Sequence, residues 1–288
     1  VRNMRNDIIA HGGEVRFDCK VTDFIINAGR LEKLLLHDNI SGKEEYLEAE
    51  CAILAPGHSS RDTFKVLYDR GILLEKKPFA AGLRIEHPQE MINVGQHKEL
   101  SDRLPAASYK LTCRASNGRN VYSFCMCPGG YVVNASSEPG RLTVNGMSDH
   151  ARNSGNANSA IVVNIRPEDF PSDHPLSGVE FQRYWEEKAY KAGNGKVPVQ
   201  RYGDYRRAFG PQASSYGRDD SIKASGHEDL SGEVIPVHKG DFTYADLTSC
   251  LPSYAGKAIS EGIEIFGQRI RGFDRDDALL SGVEMRTS

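Results

Sequence analysis

The sequence predicts an α/β unit followed by a mostly antiparallel α+β unit, and three observations carry that reading. Residues 1–48 switch from helical to two-residue periodicity. An unbroken apolar run, Cys51-Ala52-Ile53-Leu54-Ala55, then stops at Pro56-Gly57-His58. From Pro78 onward, strand-like runs recur between glycine turns.

Val1, Met4, Ile8 and Ile9 fall at near-helical spacing, and Gly12-Gly13 closes that helix as a C-cap would. Val15, Phe17, Cys19 and Val21 then alternate with Arg16, Asp18 and Lys20, a strand that can run on through Phe24-Ile25-Ile26. Asn27-Ala28-Gly29-Arg30 is a turn, Leu31 to His37 a second strand, Asp38 to Gly42 another turn, and Glu44 to Glu48 a third, polar strand. Cys51 to Ala55 has the character of a strand buried in a parallel sheet. A helix follows from Ser59 or Ser60 to Arg70, closed by Gly71.

After Pro78, Ala81 to Glu86 reads as a strand. Val121 to Met126, Tyr131 to Ala135 and Leu142 to Met147 read as an antiparallel meander, with turns at Pro128-Gly129-Gly130 and Glu138-Pro139-Gly140. Ala160 to Ile165 is a further strand. Ser177-Gly178-Val179-Glu180 matches a capping box and opens a helix to about Lys191. Residues 203–233, rich in Gly, Ser and Asp, read as a long loop, and a last helix spans Ser253 to Ile270.

Composition narrows the function class. With 39% hydrophobic and 26% charged residues, the chain has the makings of a folded core. Thirty-six Lys plus Arg against 39 Asp plus Glu leave a net charge of -3, so no basic excess steers it to nucleic acid or anionic lipid. Apolar runs such as Leu34-Leu35-Leu36 fall far below the roughly 18 residues of a membrane span. The six cysteines are scattered, which suits reduced thiols in a cytoplasmic protein. The chain opens at Val1 inside a helical pattern and closes at Arg286-Thr287-Ser288, the expected look of a piece of a longer protein.

Four segments bear on chemistry. The Ala55-Pro56-Gly57-His58 turn lets a ligand approach the backbone, and the helix after it aims free amides there, with Arg61 in its first turn. A tight βα turn without a ligand is the plainer reading. Cys125-Met126-Cys127-Pro128-Gly129-Gly130 places two thiols on opposite faces of a strand, a geometry that suits neither a mutual disulfide nor a zinc knuckle. One thiol in the core and one facing a cleft is the plain reading; a turn lining a substrate site is the sharper one. Arg84-Ile85-Glu86-His87 ends a strand either with an internally satisfied Arg-Glu pair or with His87 in proton transfer. Tyr109, Lys110, Glu138 and Asn145 are further polar residues near strand ends. Nine histidines without ligand spacing predict no metal, and no nucleophile elbow appears. Tyr202 to Arg207 is the one basic-aromatic stretch, set against RNA recognition by the near-neutral charge.

The strings LAPGHSSRDTF, KPFAAGLRIEHPQ, YSFCMCPGGYVVNASSE, NGMS, NANSAIVV and GVEMRTS together resemble a family of bacterial FAD-utilising, NAD/FAD-dependent dehydrogenases whose substrate is unsettled. The resemblance covers nearly the whole chain, weakest over 203–233. It implies a partial FAD-binding domain of the two-dinucleotide-fold flavoprotein type, with an inserted, mostly antiparallel substrate or cover domain. Residues 1–75 would be the remnant of the FAD domain, 76–283 the insertion, and 284–288 the start of the return. Family members carry a Gly-x-Gly-x-x-Gly turn and a C-terminal Gly-rich segment, neither of which occurs in this sequence. FAD is therefore expected in the intact protein and weakly or not at all here, and the resemblance admits NAD(P)H.

The resemblance places Val21, Ala55, Pro56, Gly57, His58 and Arg61 along the cofactor. It puts Arg84, Glu86, Cys125, Gly129 and Gly130 around a pocket for a small-molecule substrate, with His87 and Cys127 as the catalytic candidates. Glu86-His87 and the turn after Met126 are expected to face the same cleft as Gly57-His58. The alternative is a binding or interaction module, for a ligand or RNA, that keeps the flavoprotein-like fold without turnover.

Overall fold

The computed structural model describes residues 1–209 and 233–286. The greater part of the loop expected over 203–233 lies outside the described residues. The chain divides into two compact units, Val1–Glu75 and Lys76–Ser288.

In the first unit, helix α1 (Arg2–Ala10) precedes an antiparallel three-stranded sheet of β1 (Cys19–Asn27), β2 (Arg30–Asp38) and β3 (Glu44–Glu48), followed by helix α2 (Arg61–Asp69). The β1–β2 hairpin closes on the two-residue turn Ala28-Gly29, both at positive φ, as the sequence predicts. Phe24 and Leu36 are its buried anchors, and Arg70 donates from Nε to Asp23 Oδ1 at 2.7 Å. Residues 15–18 fall outside β1. The expected parallel strand does not form: residues 51–57 have no regular structure and are exposed, Ile53 at 93%. An apolar run becomes a buried strand only where neighbouring strands take up its amides and carbonyls, and among the described residues no strand pairs with it.

Among the described residues, the second unit is built on a nine-stranded mixed sheet. Its elements are β4 (Phe79–Pro88), α3 (Gln89–His97), β5 (Thr112–Arg114), β6 (Asn120–Asn134), β7 (Val144–Ser148), β8 (Asn156–Ile165), α4 (Ser177–Ala192), β9 (Val197–Arg201), α5 (Tyr202–Arg207), β10 (His238–Lys239), β11 (Phe242–Tyr244), α6 (Ser253–Gly267) and β12 (Leu279–Arg286). The strand order is β10-β6-β8-β4-β12-β9-β11, with β5 and β7 also on β6. Period-two alternation decides what β4 does. Phe79, Ala81, Leu83, Ile85 and His87 turn to one face, where Ile259, Ile263 and Phe266 of α6 and Phe181 of α4 help form the main core. Ala80, Gly82, Arg84 and Glu86 turn to the other, where Ala80 meets Ala160 and Val162.

Three expectations need correction here. Residues 284–286 continue in the sheet of the second unit: β12 pairs them with Gly82, Ala81 and Ala80 of β4. Pro128-Gly129-Gly130 is not a hairpin turn, because β6 runs straight on from Asn120 to Asn134. Its register against β8 slips between Phe124 and Cys127 and again between Cys127 and Gly130, and Cys125 and Gly129 sit at φ +47° and +45°. The glycine-rich segment therefore bends the strand through bulges instead of reversing it. Finally, α4 starts after Leu176 with no side-chain cap, and Ser177 Oγ is buried instead of capping.

Candidate functional site

The second face of β4 carries the polar centre of the molecule. Arg84 and Glu86 stand two residues apart, so both point the same way. The flanking strands answer with Asn156 and Asn158 on β8 and Ser281 and Glu284 on β12. All six are buried. Buried charge survives only when paired and hydrogen-bonded, and Arg84 is both. Its Nε and Nη2 donate to the two Glu284 oxygens at 2.7 and 3.0 Å, and its Nη1 donates to Asn158 Oδ1 at 2.7 Å and to the Cys125 carbonyl at 3.1 Å. Burial opposes the guanidinium charge, but Glu284 beside it prevails and raises its pKa.

Glu86 belongs to a second network. Its Oε1 lies 2.9 Å from His238 Nε2, and its Oε2 accepts from Asn156 Nδ2 and the Val237 amide, each at 3.0 Å. Ser281 Oγ is 3.3 Å from the same His238 nitrogen. A catalytic triad needs the acid and the nucleophile on different ring nitrogens, so Ser281, His238 and Glu86 do not form one. They pin β10 to the sheet.

Above Arg84, the bulged β6 and β7 make the wall of a cavity. β7 crosses the guanidinium at Gly146, where a Cβ would lie 2.2 Å from Arg84 Nη1 and 2.3 Å from Asn158 Oδ1. Buried Gln89 stitches the wall together: it accepts from the Gly129 amide at 2.6 Å and donates to the Ala107 carbonyl at 3.0 Å. Ser148 Oγ adds a bond to the Pro128 carbonyl at 2.8 Å. The cavity measures about 620 Å³ and is lined by residues 105–106, 126–128 and 146–152. That falls within the range of small-molecule sites.

The sequence candidates distribute unevenly around it. Cys127 lines the cavity, and Gly129 and Gly130 lie in the same strand, Gly129 packed against the Arg152 carbonyl. Cys125 is exposed and Cys127 buried. Burial pushes the Cys127 thiol up, only partly offset by Arg84, so it is held as the thiol and not as a nucleophilic thiolate. Arg84 pairs with Glu284, not with Glu86. His87 is fully buried on the opposite face; its Nε2 donates to the Phe273 carbonyl at 2.7 Å and its ring packs on Phe273. Burial lowers its pKa to about 4, so it is neutral near pH 7. Tyr109 bonds Ser159 inside the core, and Asn145 lies 3.4 Å from Arg84. Tyr202 and Tyr205 of α5 are fully buried, which leaves the Tyr202 to Arg207 stretch no aromatic platform. Glu284, Asn158 and Gln89 went unrecognised from sequence. The signal was present in Asn156-Ala157-Asn158, two amides at period two inside an otherwise apolar strand.

In the first unit, the turn before α2 is where the FAD phosphates would have to sit. Residues 55–58 are exposed, and Gly57 at φ +77° has open space around it. The first turn of α2, however, already carries a carboxylate: Asp62, whose pKa Lys20 lowers by hydrogen bonding. A negative charge in that first turn disfavours a second anion at the helix's positive end. Arg61 is 7% exposed and already engaged, and Ser60 Oγ donates to the Pro56 carbonyl at 2.8 Å. Val21 is a half-buried residue of β1. These residues by themselves do not fit a pyrophosphate. Among the described residues, no three His, Cys, Asp or Glu side chains group as metal ligands, and no helix is long and apolar enough to cross a membrane.

Residues 78–287 match the family model described as "FAD-dependent protein, C-terminal domain-like". A protein of Clostridium beijerinckii, described as uncharacterized, is 44% identical over 293 residues. That alignment takes in 100% of this chain and 51% of the relative, so the chain spans about half the relative's length.

Proposed function

Because the chain belongs to the family of FAD-dependent proteins with this C-terminal domain, we propose that it is part of a flavin-dependent oxidoreductase and that its second unit supplies the substrate pocket. FAD, held by the intact protein, would supply the hydride or electron transfer, and the protein supplies position and polarity. The observation that carries this reading is the 620 Å³ cavity over the Arg84, Glu284 and Asn158 cluster, inside the segment that matches the family.

In this reading Arg84 positions and does not react. Its charge is spent on Glu284, and its remaining donors fix the Cys125 carbonyl and Asn158, so the bulged wall keeps its shape while a ligand enters. The neutral Cys127 thiol forms part of the cavity surface. The test is to purify the intact protein, extract and identify its flavin, record absorbance at about 450 nm, and screen NADH and NADPH as reductants. Stoichiometric FAD that is reduced by a donor supports the proposal. A colourless intact protein with no extractable flavin overturns it.

A further inference from the structure

We infer that the cavity above Cys127 and Gly146 binds a small organic acid, a carboxylate carried on an apolar body. The inference names the substrate class of the pocket proposed above and rests on that reading of it.

Charge is the first argument. Besides the Cys127 thiol, Asp149, His150 and Arg152 are the ionisable side chains that line the cavity. Asp149 is already engaged, with the Tyr131 hydroxyl donating to it at 3.2 Å and Lys239 Nζ at 3.6 Å. Arg152 and His150 have no side-chain hydrogen bond or ion pair among the described residues. Arg152 thus brings a guanidinium to the cavity wall, while the carboxylate beside it, Asp149, is taken up by Tyr131 and Lys239.

Hydrogen bonding has the same sense. The Arg152 guanidinium offers donors only, and a carboxylate offers acceptors only. An ammonium ligand would be repelled by Arg152, and a purely apolar ligand would gain nothing from it. The rest of the lining selects the body of the ligand. Pro105, Ala106, Met126 and Met147 are apolar, and the two thioethers adapt to irregular shapes. A volume of about 620 Å³ has room for far more than an isolated inorganic anion.

The test is calorimetric titration of the intact protein and its Arg152→Gln variant with benzoate, hexanoate, benzamide and inorganic phosphate. Arg152 is an exposed side chain, so the variant removes the charge without opening the core. We expect the two acids to bind the parent about tenfold more tightly than the amide, and Arg152→Gln to lose about that factor for the acids alone. Raised salt should weaken acid binding and leave benzamide unmoved. Acids that bind the variant as well as the parent overturn the inference, as does an absence of acid binding. Phosphate binding as tight as benzoate would overturn it too, since the apolar body would then count for nothing. Flavin content is measured on the same preparation. A flavin-free protein defeats the oxidoreductase reading without touching the titrations, and failed titrations leave the flavin result standing.

Discussion

Arg84 and Glu284 stand 200 positions apart in the chain and meet in the middle of the sheet, Nε to Oε2 at 2.7 Å, with both side chains fully buried. Removing one partner strands the other charge in a medium that cannot solvate it. Glu284→Ala is expected to lower the unfolding free energy by about 3–5 kcal/mol, read as a fall in the urea midpoint. Replacing both residues, Arg84→Met with Glu284→Leu, should cost much less, because no bare charge remains. A single variant that keeps the parent midpoint would contradict the burial of the pair.

His87 makes the fold sensitive to acid. Its folded pKa is lowered to about 4 from the ordinary 6.5, mainly by burial. The unfolded chain therefore takes up the proton first. Stability is complete above about pH 6.5 and is lost as pH falls toward 4, by about 3 kcal/mol for this residue alone. His87→Phe should flatten that part of the stability profile measured by denaturation across pH 4 to 7. A variant whose slope matches the parent's would show that His87 is not the group responsible.

Legibility in the sequence followed locality. The first hairpin was readable because its alternation, its two-residue turn and its pairing all lie between Cys19 and Asp38. Helices α2, α4 and α6 were readable from their 3.6-residue pattern within a turn or so. What failed depends on partners distant in the chain. The run at 51–55 looked like a buried strand because it is apolar, yet burial depends on neighbours that a local pattern does not report. Local sequence pairs Arg84 with Glu86; Glu284 is the actual partner because β12 returns beside β4 from the far end of the chain. The Pro-Gly-Gly segment signalled departure from regular backbone, and periodicity alone does not separate a bulge from a reversal. The cavity itself was half legible: Cys127 and its glycines were singled out, while Gln89 and Asn158, which shape it, were not.

Thiol reactivity should rank by burial and pKa together. Cys51 and Cys125 are exposed. Cys127 is buried with a raised pKa, and burial pushes Cys250 up to about 12. Iodoacetamide labelling of the native protein, followed by peptide mass spectrometry, should mark Cys51 and Cys125 first, Cys127 slowly and Cys250 only after unfolding. Early labelling of Cys127 would mean that the bulge opens in solution.

The chain itself is expected to purify without flavin. Its α2 N-terminus carries Asp62 rather than a vacant anion seat, and Arg61 is engaged. Absorbance at about 450 nm from the purified 288-residue chain, with stoichiometric extractable FAD, would refute this account of the first unit.

Gly146→Ala tests how closely β7 rides on the buried cluster. The new methyl group would need the space now held by Arg84 Nη1 and Asn158 Oδ1, both under 2.5 Å from it. Neither atom is the free end of a flexible chain, because Arg84 is clamped by Glu284 and Asn158 is clamped by Arg84. The strand must move instead, at a cost of about 1–3 kcal/mol. Gly155→Ala serves as the comparison: nothing lies within 4 Å of its Cβ position, so it should stay within about 0.5 kcal/mol of the parent. Since Gly146 also lines the cavity, its variant should weaken benzoate binding while Gly155→Ala leaves it unchanged. Equal stability for the two variants would mean that β7 sits farther from Arg84 than the structure has it, and the cavity wall would have to be redrawn.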